Sequence, residues 1–222
     1  MIKPVRHVVT LEATRFETHD TKTFTFSSEY VFEPGQFVNV RFEQDDALGK
    51  RSFSIASGPH EKLEITVKRI GVFTNELFTA PIGTRFEIHG PLGLPYIRSS
   101  PEDPYLLIAG GSGIAPFRSL MRDHRLAETR FTLIDSNRTY DDIIYRDEIE
   151  RWHAKVIHTL TRENHHGIRH GRIDRGLLDR IPHIRDHRVL ICGPPGLVSA
   201  SIEHLLSLGI PVNRIKSESW GN

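Results

Sequence analysis

The chain has 222 residues, of which 38% are apolar and 26% are charged, and its net charge at neutral pH is +1. These values are typical of a folded globular protein long enough for two small domains, and they do not favour binding to nucleic acid. The single cysteine, Cys192, excludes an intrachain disulfide, a zinc site built on paired cysteines and an iron–sulfur cluster held by four thiolates of this chain.

The sequence contains no run of about 18 consecutive apolar residues, the length that a membrane-spanning helix needs. Its first residues lack the apolar core of a secretory signal. We therefore expect no membrane span and a cytoplasmic location.

The first half of the chain contains short runs rich in valine, isoleucine, phenylalanine and threonine, separated by proline and glycine. The predicted strands are 5–13, 23–28, 36–42, 53–56, 63–69 and 85–89, and one short helix is predicted over 73–79. Many short strands at this spacing predict an antiparallel barrel or sandwich.

Beyond residue 100, strands and helices alternate. The predicted strands are 105–109, 130–135, 156–159, 188–192 and 214–217, and the predicted helices are 115–127, 141–152, 174–181 and 197–208. This alternation predicts a doubly wound parallel α/β sheet. Serine, proline and acidic residues cluster near 99–104, so we place the boundary there, between a domain of residues 1–100 and one of residues 101–222.

Two glycine-containing loops follow strands of the second half. In the first, a buried strand leads into Gly111 and Gly113 and then into a helix with Pro116 near its start. Glycines let the backbone approach a diphosphate, and a helix N-terminus offers N–H groups, so this context favours a dinucleotide site over a structural turn. The second loop, 192–196, follows a strand of the same sheet; a site at the shared edge and a plain turn with an inert cysteine explain it equally well.

Six motifs in order make the chain resemble the ferredoxin–NADP reductase superfamily over nearly its whole length. They are RSFS at 51–54, Gly71-x-x-Thr74, GPLG at 90–93, the glycine loop that ends at Pro116, CGPP at 192–195 and Glu218-x-Trp220. The resemblance implies an FAD-binding antiparallel barrel followed by an NAD(P)-binding α/β domain, without an iron–sulfur domain.

The resemblance assigns FAD to the first domain. It implies that Arg51 binds the flavin phosphate, Phe53 packs on the ring system and Ser54 faces the reactive nitrogen. The family's usual aromatic residue is tyrosine, so Phe53 keeps the stacking surface and lacks a hydroxyl. Core packing for Phe53, a solvated strand end for Lys68 and a frayed tail for Trp220 are the alternatives. The other residues implied to bind FAD are Ser52, Lys68, Gly71, Val72, Phe73, Thr74 and Trp220.

The resemblance assigns the nicotinamide dinucleotide to the second domain. Cys192 and Glu218, with Ser54, are implied to surround the point of hydride transfer, where their task is positioning because the cofactors supply the chemistry. Thr161-Arg162 stands where the family reads the adenosine 2′ position, which favours NADP. Asp135 lies near the spacing at which simpler folds bind the ribose hydroxyls, so NAD is the alternative. The implied dinucleotide-binding residues are Gly111, Gly113, Pro116, Thr161, Arg162, Arg169, Arg172, Gly193 and Pro194.

Seven histidines lie between residues 151 and 188. His165, His166 and His170 lack the carboxylate or cysteine partners that would complete a metal site, so we expect no metal. A solvated loop, or part of a docking surface for an acidic electron carrier, explains this stretch.

We therefore predict an enzyme that moves hydride between NADP(H) and bound FAD and passes single electrons to a separate carrier such as ferredoxin or flavodoxin. A flavin is needed because nicotinamide moves two electrons together, whereas iron–sulfur and haem partners take one. A reductase of free flavin or of an oxygenase component is the alternative within this class. A non-catalytic redox-sensing or interaction subunit is the alternative from another class, and the complete set of Ser54, Cys192 and Glu218 argues against it.

Overall fold

The computed structural model describes residues 3–45, 47–97 and 103–219, and the chain divides into two compact units. The first unit comprises Met1–Arg98 and Ala115–His124, and the second comprises Ser99–Ile114 and Arg125–Asn222. The segment 115–124, which the sequence analysis assigns to the second domain, thus groups with the first unit.

The first unit is built on an antiparallel sheet. Its strands are β1 (Val5–Thr18), β2 (Thr21–Glu29), β3 (Phe37–Phe42), β4 (Arg51–Ser54), β5 (Lys62–Lys68) and β6 (Arg85–Leu92), and the helix α1 (Val72–Thr79) precedes β6. The strand order is β4-β3-β6-β1-β2-β5. A bridge from Ile55, just after β4, to Ile65 of β5 joins the two edges of the sheet. The predicted antiparallel barrel is therefore confirmed.

Period-two alternation decides which side chains fill the barrel. Phe24 and Phe26 of β2 and Val38 and Val40 of β3 are fully buried. Successive side chains along a strand point to opposite faces, so the residues between these lie on the outer wall. Asn39, between the two valines, therefore lies on the outer wall, where its side chain can take part in a site outside the barrel.

Two arginine–glutamate pairs hold the helix α2 (Ala115–Met121) within the first unit. Arg118 is 1% exposed, and its guanidinium donates to a carboxylate oxygen of Glu64 at 2.6 Å and to the carbonyl of Ala56 at 3.1 Å. One turn later, Arg122 binds Glu61 through both carboxylate oxygens, with side chains 35% and 37% exposed. No local feature of the sequence marks this charge as buried.

The second unit is a six-stranded parallel sheet. Its strands are β7 (Tyr105–Gly110), β8 (Phe131–Asn137), β9 (Ala154–Leu160), β10 (Arg169–His170), β11 (Arg188–Gly193) and β12 (Ile215–Ser219), in the order β10-β9-β8-β7-β11-β12. The helices α3 (Arg146–Ile149), α4 (Arg175–Asp179) and α5 (Pro195–Ser207) lie between strands in the sequence. All of these strand pairings are parallel, so the predicted doubly wound sheet is confirmed.

The predicted helix over 141–152 is wrong. A single 3₁₀ turn covers Tyr140–Asp142, and α3 is only 4 residues long. Between them Ile143, Ile144 and Tyr145 are each 2% exposed, and Tyr145 has a φ of 61°. An α-helix turns by about 100° per residue, so three consecutive residues cannot all lie on its buried face unless it is buried all round.

The longest helix among the described residues is α5, with 13 residues. Within the described part of the chain, no helix combines the length and the apolar character needed to cross a bilayer.

Candidate functional site

The strand β4 presents a cation and an aromatic ring on one face. The Phe53 ring lies 6.0 Å from the Phe73 ring, between centroids, and the guanidinium carbon of Arg51 lies 5.6 Å from the Phe73 centroid. Ser52 lies on the other face, where its hydroxyl donates to Oδ1 of Asn39 at 2.7 Å. This is the alternation expected for the RSFS strand, and a ring with a guanidinium beside it suits a flat heteroaromatic group that carries phosphate.

The loop before α1 is shaped by the hydroxyl of Thr74. That oxygen accepts hydrogen bonds from the backbone N–H groups of Ile70 and Gly71, both at 2.9 Å, and donates to the Gly71 carbonyl at 3.0 Å. A hydroxyl has one proton, so Thr74 has no donor left for a phosphate. The first N–H groups of α1, including those of Val72 and Phe73, have no acceptor within the helix and remain the diphosphate-binding candidates of this loop.

Open space lies in front of this loop. A Cβ added to Gly71 would meet no atom within 4 Å, and Val72 is 70% exposed. A phosphate therefore has room to approach the first turn of α1.

Lys68 is engaged by a neighbouring carboxylate. Its ammonium lies 2.7 Å from an oxygen of Asp20. Burial raises the pKa of Asp20, but the hydrogen bond and charge of Lys68, together with hydrogen bonds from Thr18 and Thr21, outweigh burial and hold that pKa below its usual value. This pairing favours the alternative in which Lys68 stabilises the end of its strand over the one in which it binds a phosphate.

A cationic cavity of about 360 Å³ lies beside β4 in the first unit. Its lining residues are Arg6, Asn39, Arg41, Gly49, Lys50, Glu87 and His89. The carboxylate of Glu87 pairs with Arg41 at 2.9 Å and with Arg6 at 3.7 Å. Among the described lining residues, cations therefore outnumber carboxylates. Because Asn39 is bonded to Ser52, this cationic cavity adjoins the strand that carries Arg51 and Phe53.

The second unit places the two glycine loops side by side. The strands β7 and β11 are neighbours, and the chain runs outward from β7 to β10 before it returns to β11 and β12 on the other side. This reversal is the topological switch point of a doubly wound sheet, and ligands bind at the carboxyl ends of the strands there. The loops after Gly110 and after Gly193 leave the sheet at this point.

The glycines of these loops are required by close packing. A Cβ on Gly113 would lie 2.1 Å from the carbonyl oxygen of Cys192, and one on Gly110 would lie 2.9 Å from Pro194 and 2.8 Å from Leu197. Gly111 has a φ of +53°, which favours glycine. The structural reason for Gly113 is therefore the contact between the two loops, rather than the approach of a diphosphate that the sequence suggested.

Other residues predicted for the dinucleotide lie next to these loops in the sequence. Pro116 is buried in the first turn of α2, and Pro194 caps the N-terminus of α5 with an extended backbone. A Cβ on Gly193 would lie 3.1 Å from the backbone nitrogen of Gly110, so this glycine also belongs to the loop contact. Gly193 and Pro194 therefore shape the carboxyl edge of the parallel sheet, and the N-terminus of α5 follows them.

The structure brings Cys192 and Glu218 together. They are register partners in the parallel pair of β11 and β12, near the carboxyl ends of both strands. Cys192 is fully buried and Glu218 is partly exposed. Ser54, 9% exposed, belongs to the first unit, and Trp220 lies outside the described residues.

The residues predicted to read the adenosine 2′ position follow β9. The backbone N–H groups of Thr161 and Arg162 donate to the carbonyls of Asn137 and Arg138 at 3.0 and 2.8 Å, which joins the loops after β8 and β9. The side chain of Arg162 is exposed. Thr161 also directs its hydroxyl to the Asn137 carbonyl, at 3.3 Å.

The two later arginines of this group differ. Arg169 pairs with Asp174, whose other carboxylate oxygen caps α4 by accepting from the Leu177 N–H at 2.7 Å. Arg172 is exposed. Arg169 thus helps to hold α4, and Arg162 and Arg172 are the better candidates to meet a phosphate.

Asp135 is closed off from any surface ligand. It is 1% exposed, and its Oδ2 accepts from the Asn137 amide at 2.8 Å and lies 3.1 Å from Nδ1 of His158. Burial raises the pKa of Asp135, against the opposing effects of His158 and Asn137. The spacing of Asp135 therefore gives less support for NAD, because this buried carboxylate does not reach a ribose at the surface.

Sequence reasoning missed an aromatic stack beside the same loops. The rings of Tyr140 and His165 are stacked with centroids 4.3 Å apart, and the guanidinium carbon of Arg146 lies 4.8 Å from the Tyr140 centroid. The Tyr140 N–H also donates to Glu163 at 2.7 Å. No periodicity links Tyr140 to His165, so only the fold reveals that this histidine is packed rather than free in a loop.

Comparison with known proteins identifies both halves of the chain. Residues 8–96 match the family model for the oxidoreductase FAD-binding domain, and residues 107–202 match the model for the oxidoreductase NAD-binding domain. The chain is also similar in fold to a crystal structure of a ferredoxin NADP⁺ reductase from Neisseria gonorrhoeae with bound FAD and NADP. That likeness has a TM-score of 0.80 and 21% identity, and it covers 96% of this chain and 98% of the other.

Two curated relatives are 30% identical to the chain. One is a glycine betaine monooxygenase reductase subunit from Pseudomonas aeruginosa; the match covers 97% of this chain but only 64% of that protein. The other is a probable dihydroorotate dehydrogenase B (NAD⁺) electron transfer subunit from Thermococcus kodakarensis; the match covers 88% of this chain and 78% of that protein. The chain thus spans less than two thirds of the first relative's length.

Proposed function

Because this chain belongs to the ferredoxin–NADP reductase superfamily, which joins an FAD-binding to an NAD-binding oxidoreductase domain, we propose that it oxidises NADPH with a bound FAD and passes electrons to a separate protein acceptor. The observation that carries the proposal is the switch point between β7 and β11. There the glycine loop meets the Cys192 loop, and Cys192 lies opposite Glu218.

The residues of the first unit fit FAD. Phe53 offers a ring for stacking, Arg51 offers a guanidinium for phosphate, and the start of α1 offers N–H groups with open space in front of Gly71. A site for a diphosphate favours tightly held FAD over a flavin that is released. When bound, FAD would accept a hydride from the nicotinamide and give up its electrons one at a time.

In this proposal Cys192 and Glu218 position the nicotinamide. A fully buried thiol at the end of β11 gives a small, apolar wall, and the partly exposed carboxylate beside it is a hydrogen-bond acceptor for a nicotinamide amide. Ser54 remains in the proposed set through the family resemblance.

The acceptor is proposed to be a protein with an acidic surface. The cationic cavity beside β4 supports this, because a positive surface steers an acidic partner and fixes its orientation. Ferredoxin or flavodoxin is the first candidate. An oxygenase component is the second, favoured by the similarity to a reductase subunit of a monooxygenase.

Reduction by NADPH is the first test. Anaerobic NADPH added to the yellow protein is expected to bleach its visible absorbance within one turnover, and readmitted air should restore the colour. Absorbance spectra under nitrogen measure this. Protein that is colourless after purification, takes up no FAD and oxidises neither NADPH nor NADH would contradict the proposal.

Arg162→Ala is expected to weaken the binding of NADPH while leaving the binding of NADH nearly unchanged. An arginine hydrogen-bonded to a phosphate contributes about 1.5–3 kcal/mol, so the KM for NADPH should rise by about tenfold or more, with little change for NADH. Stopped-flow flavin reduction with both nucleotides measures this. Arg151→Ala, the control, removes another exposed arginine and should change neither the KM for NADPH nor the KM for NADH. An equal loss for NADPH and NADH would remove Arg162 from the 2′-phosphate site.

A further inference from the structure

A second cavity, of about 490 Å³, lies in the second unit at the amino edge of the parallel sheet. Its lining includes Arg130, just before β8, and Lys155 of β9, and its other wall comes from the turn before β11. Two backbone hydrogen bonds, both 2.9 Å long, stabilise this edge. The Tyr105 N–H donates to the Arg130 carbonyl, and the Arg188 N–H donates to the Pro104 carbonyl. The glycine loops leave the opposite edge, so this amino-edge cavity is separate from the proposed dinucleotide site.

Among the described residues that line the amino-edge cavity, cationic side chains outnumber carboxylates. They include Arg130 and Lys155, and the imidazoles of His183 and His187 also line the cavity. Asp186 is the one carboxylate of this described set. An anion placed here would therefore be attracted whether the histidines are neutral or charged.

His187 is fixed in a defined tautomer. It is 5% exposed, and its Nδ1 lies 3.1 Å from the His183 carbonyl, which can only accept, so Nδ1 carries the proton. In the neutral ring, Nε2 is then left as an acceptor. Burial and the charge of Arg130 lower the pKa of His187, against the opposing effects of the His183 carbonyl and Asp186.

The turn that holds His187 has an unusual backbone. His183 has a φ of 54°, a left-handed conformation that residues other than glycine seldom adopt. Its carbonyl accepts from the Asp186 N–H at 2.9 Å as well as from His187. Backbone of this kind is found preferentially where a ligand is held, and here it fixes the wall of the amino-edge cavity.

We propose that the amino-edge cavity binds a small organic anion. The head group, a carboxylate or a phosphate, would lie between Arg130 and Lys155, and the apolar part would lie against Ile181 and Pro182, which also line the cavity. Such an anion would offset the charge of Arg130 beside His187 and would accept a hydrogen bond from a protonated Nε2.

Binding at this site is linked to proton uptake. Among the described residues, the charged and titratable groups that line the cavity around His187 are Arg130, Lys155, His183 and Asp186. A bound anion favours the charged imidazole. The anion therefore raises the pKa of His187, and its affinity falls as the pH rises through that raised pKa.

The test uses the FAD-loaded protein and three probes: phenyl phosphate, benzoate and inorganic phosphate. The NMR signal of the His187 ring is followed during each titration, with and without NADP⁺. We expect a saturable shift with at least one of the organic probes, unchanged by NADP⁺, and at least about tenfold weaker binding of inorganic phosphate, which has no apolar group to bury. The preferred organic probe identifies the head group.

Three variants complete the test. Lys155→Gln and Arg130→Gln are each expected to weaken binding by about tenfold or more and to reduce the rise in the pKa of His187. Arg151→Gln, which removes an arginine outside the cavity lining, should leave both quantities unchanged. The proposal is overturned if the His187 signal does not respond to either organic probe, if neither cavity variant weakens binding, or if NADP⁺ competes with the probes.

Discussion

Glu64→Gln is expected to lower the free energy of unfolding by about 3–5 kcal/mol, because it removes a negative charge that is hydrogen-bonded to the buried guanidinium of Arg118. The Arg118 side chain is 2% exposed, and the pair is 2.6 Å long. A buried guanidinium that loses its counter-charge keeps the full cost of its removal from water. Urea denaturation followed by circular dichroism measures the change.

Glu61→Gln is the matched control. It breaks the pair with Arg122 on the same helix, where both side chains are about one third exposed, and should cost about 0–1 kcal/mol. The double change Arg118→Met with Glu64→Leu should recover most of the lost stability, because an apolar pair avoids the cost of burying charge. If Glu64→Gln and Glu61→Gln lower the free energy of unfolding equally, the charge of Glu64 does not stabilise the buried Arg118.

Local pattern predicted the frame of both units. Alternation such as Phe24, Phe26 and Val38, Val40 depends only on neighbours along the chain, and it located the barrel strands. The helix predicted over 197–208 is observed as α5 over Pro195–Ser207, and Gly209 just beyond it, with a φ of +83°, is a local end signal of the same kind. Local patterns therefore sufficed for the class of fold and for most element positions.

Long-range contacts account for what the sequence did not predict. The partner of Arg118 is 54 residues away, so nothing near this arginine marks it as buried. Asp135 had the spacing of a ribose-binding residue, but its neighbour His158 on β9 turns it into a buried, bonded group. Thr74 lies in the first turn of α1, but the use of its hydroxyl within the loop depends on backbone geometry that the sequence does not reveal.

The most direct test of the switch point is Gly113→Ala, which is expected to lower the rate of NADPH-dependent flavin reduction by about 100-fold. A Cβ at this position would lie 2.1 Å from the Cys192 carbonyl oxygen and 2.5 Å from its carbon, so the two loops must move apart. Misplacement by about 1 Å costs about that factor in rate, and the forced repacking should cost about 1–3 kcal/mol of stability. Stopped-flow kinetics and urea denaturation measure the two effects.

Gly176→Ala is the control, because it adds the same methyl group in α4, where the nearest atom, Oδ1 of Asp174, would lie at an ordinary contact distance of 3.5 Å. Alanine at this helical position should leave reduction unchanged and stabilise the helix by about 0.5–1 kcal/mol. The two explanations of Gly113 predict different results. If packing between the loops requires this glycine, rate and stability fall together; if only a diphosphate requires it, the KM for NADPH rises while the free energy of unfolding stays unchanged.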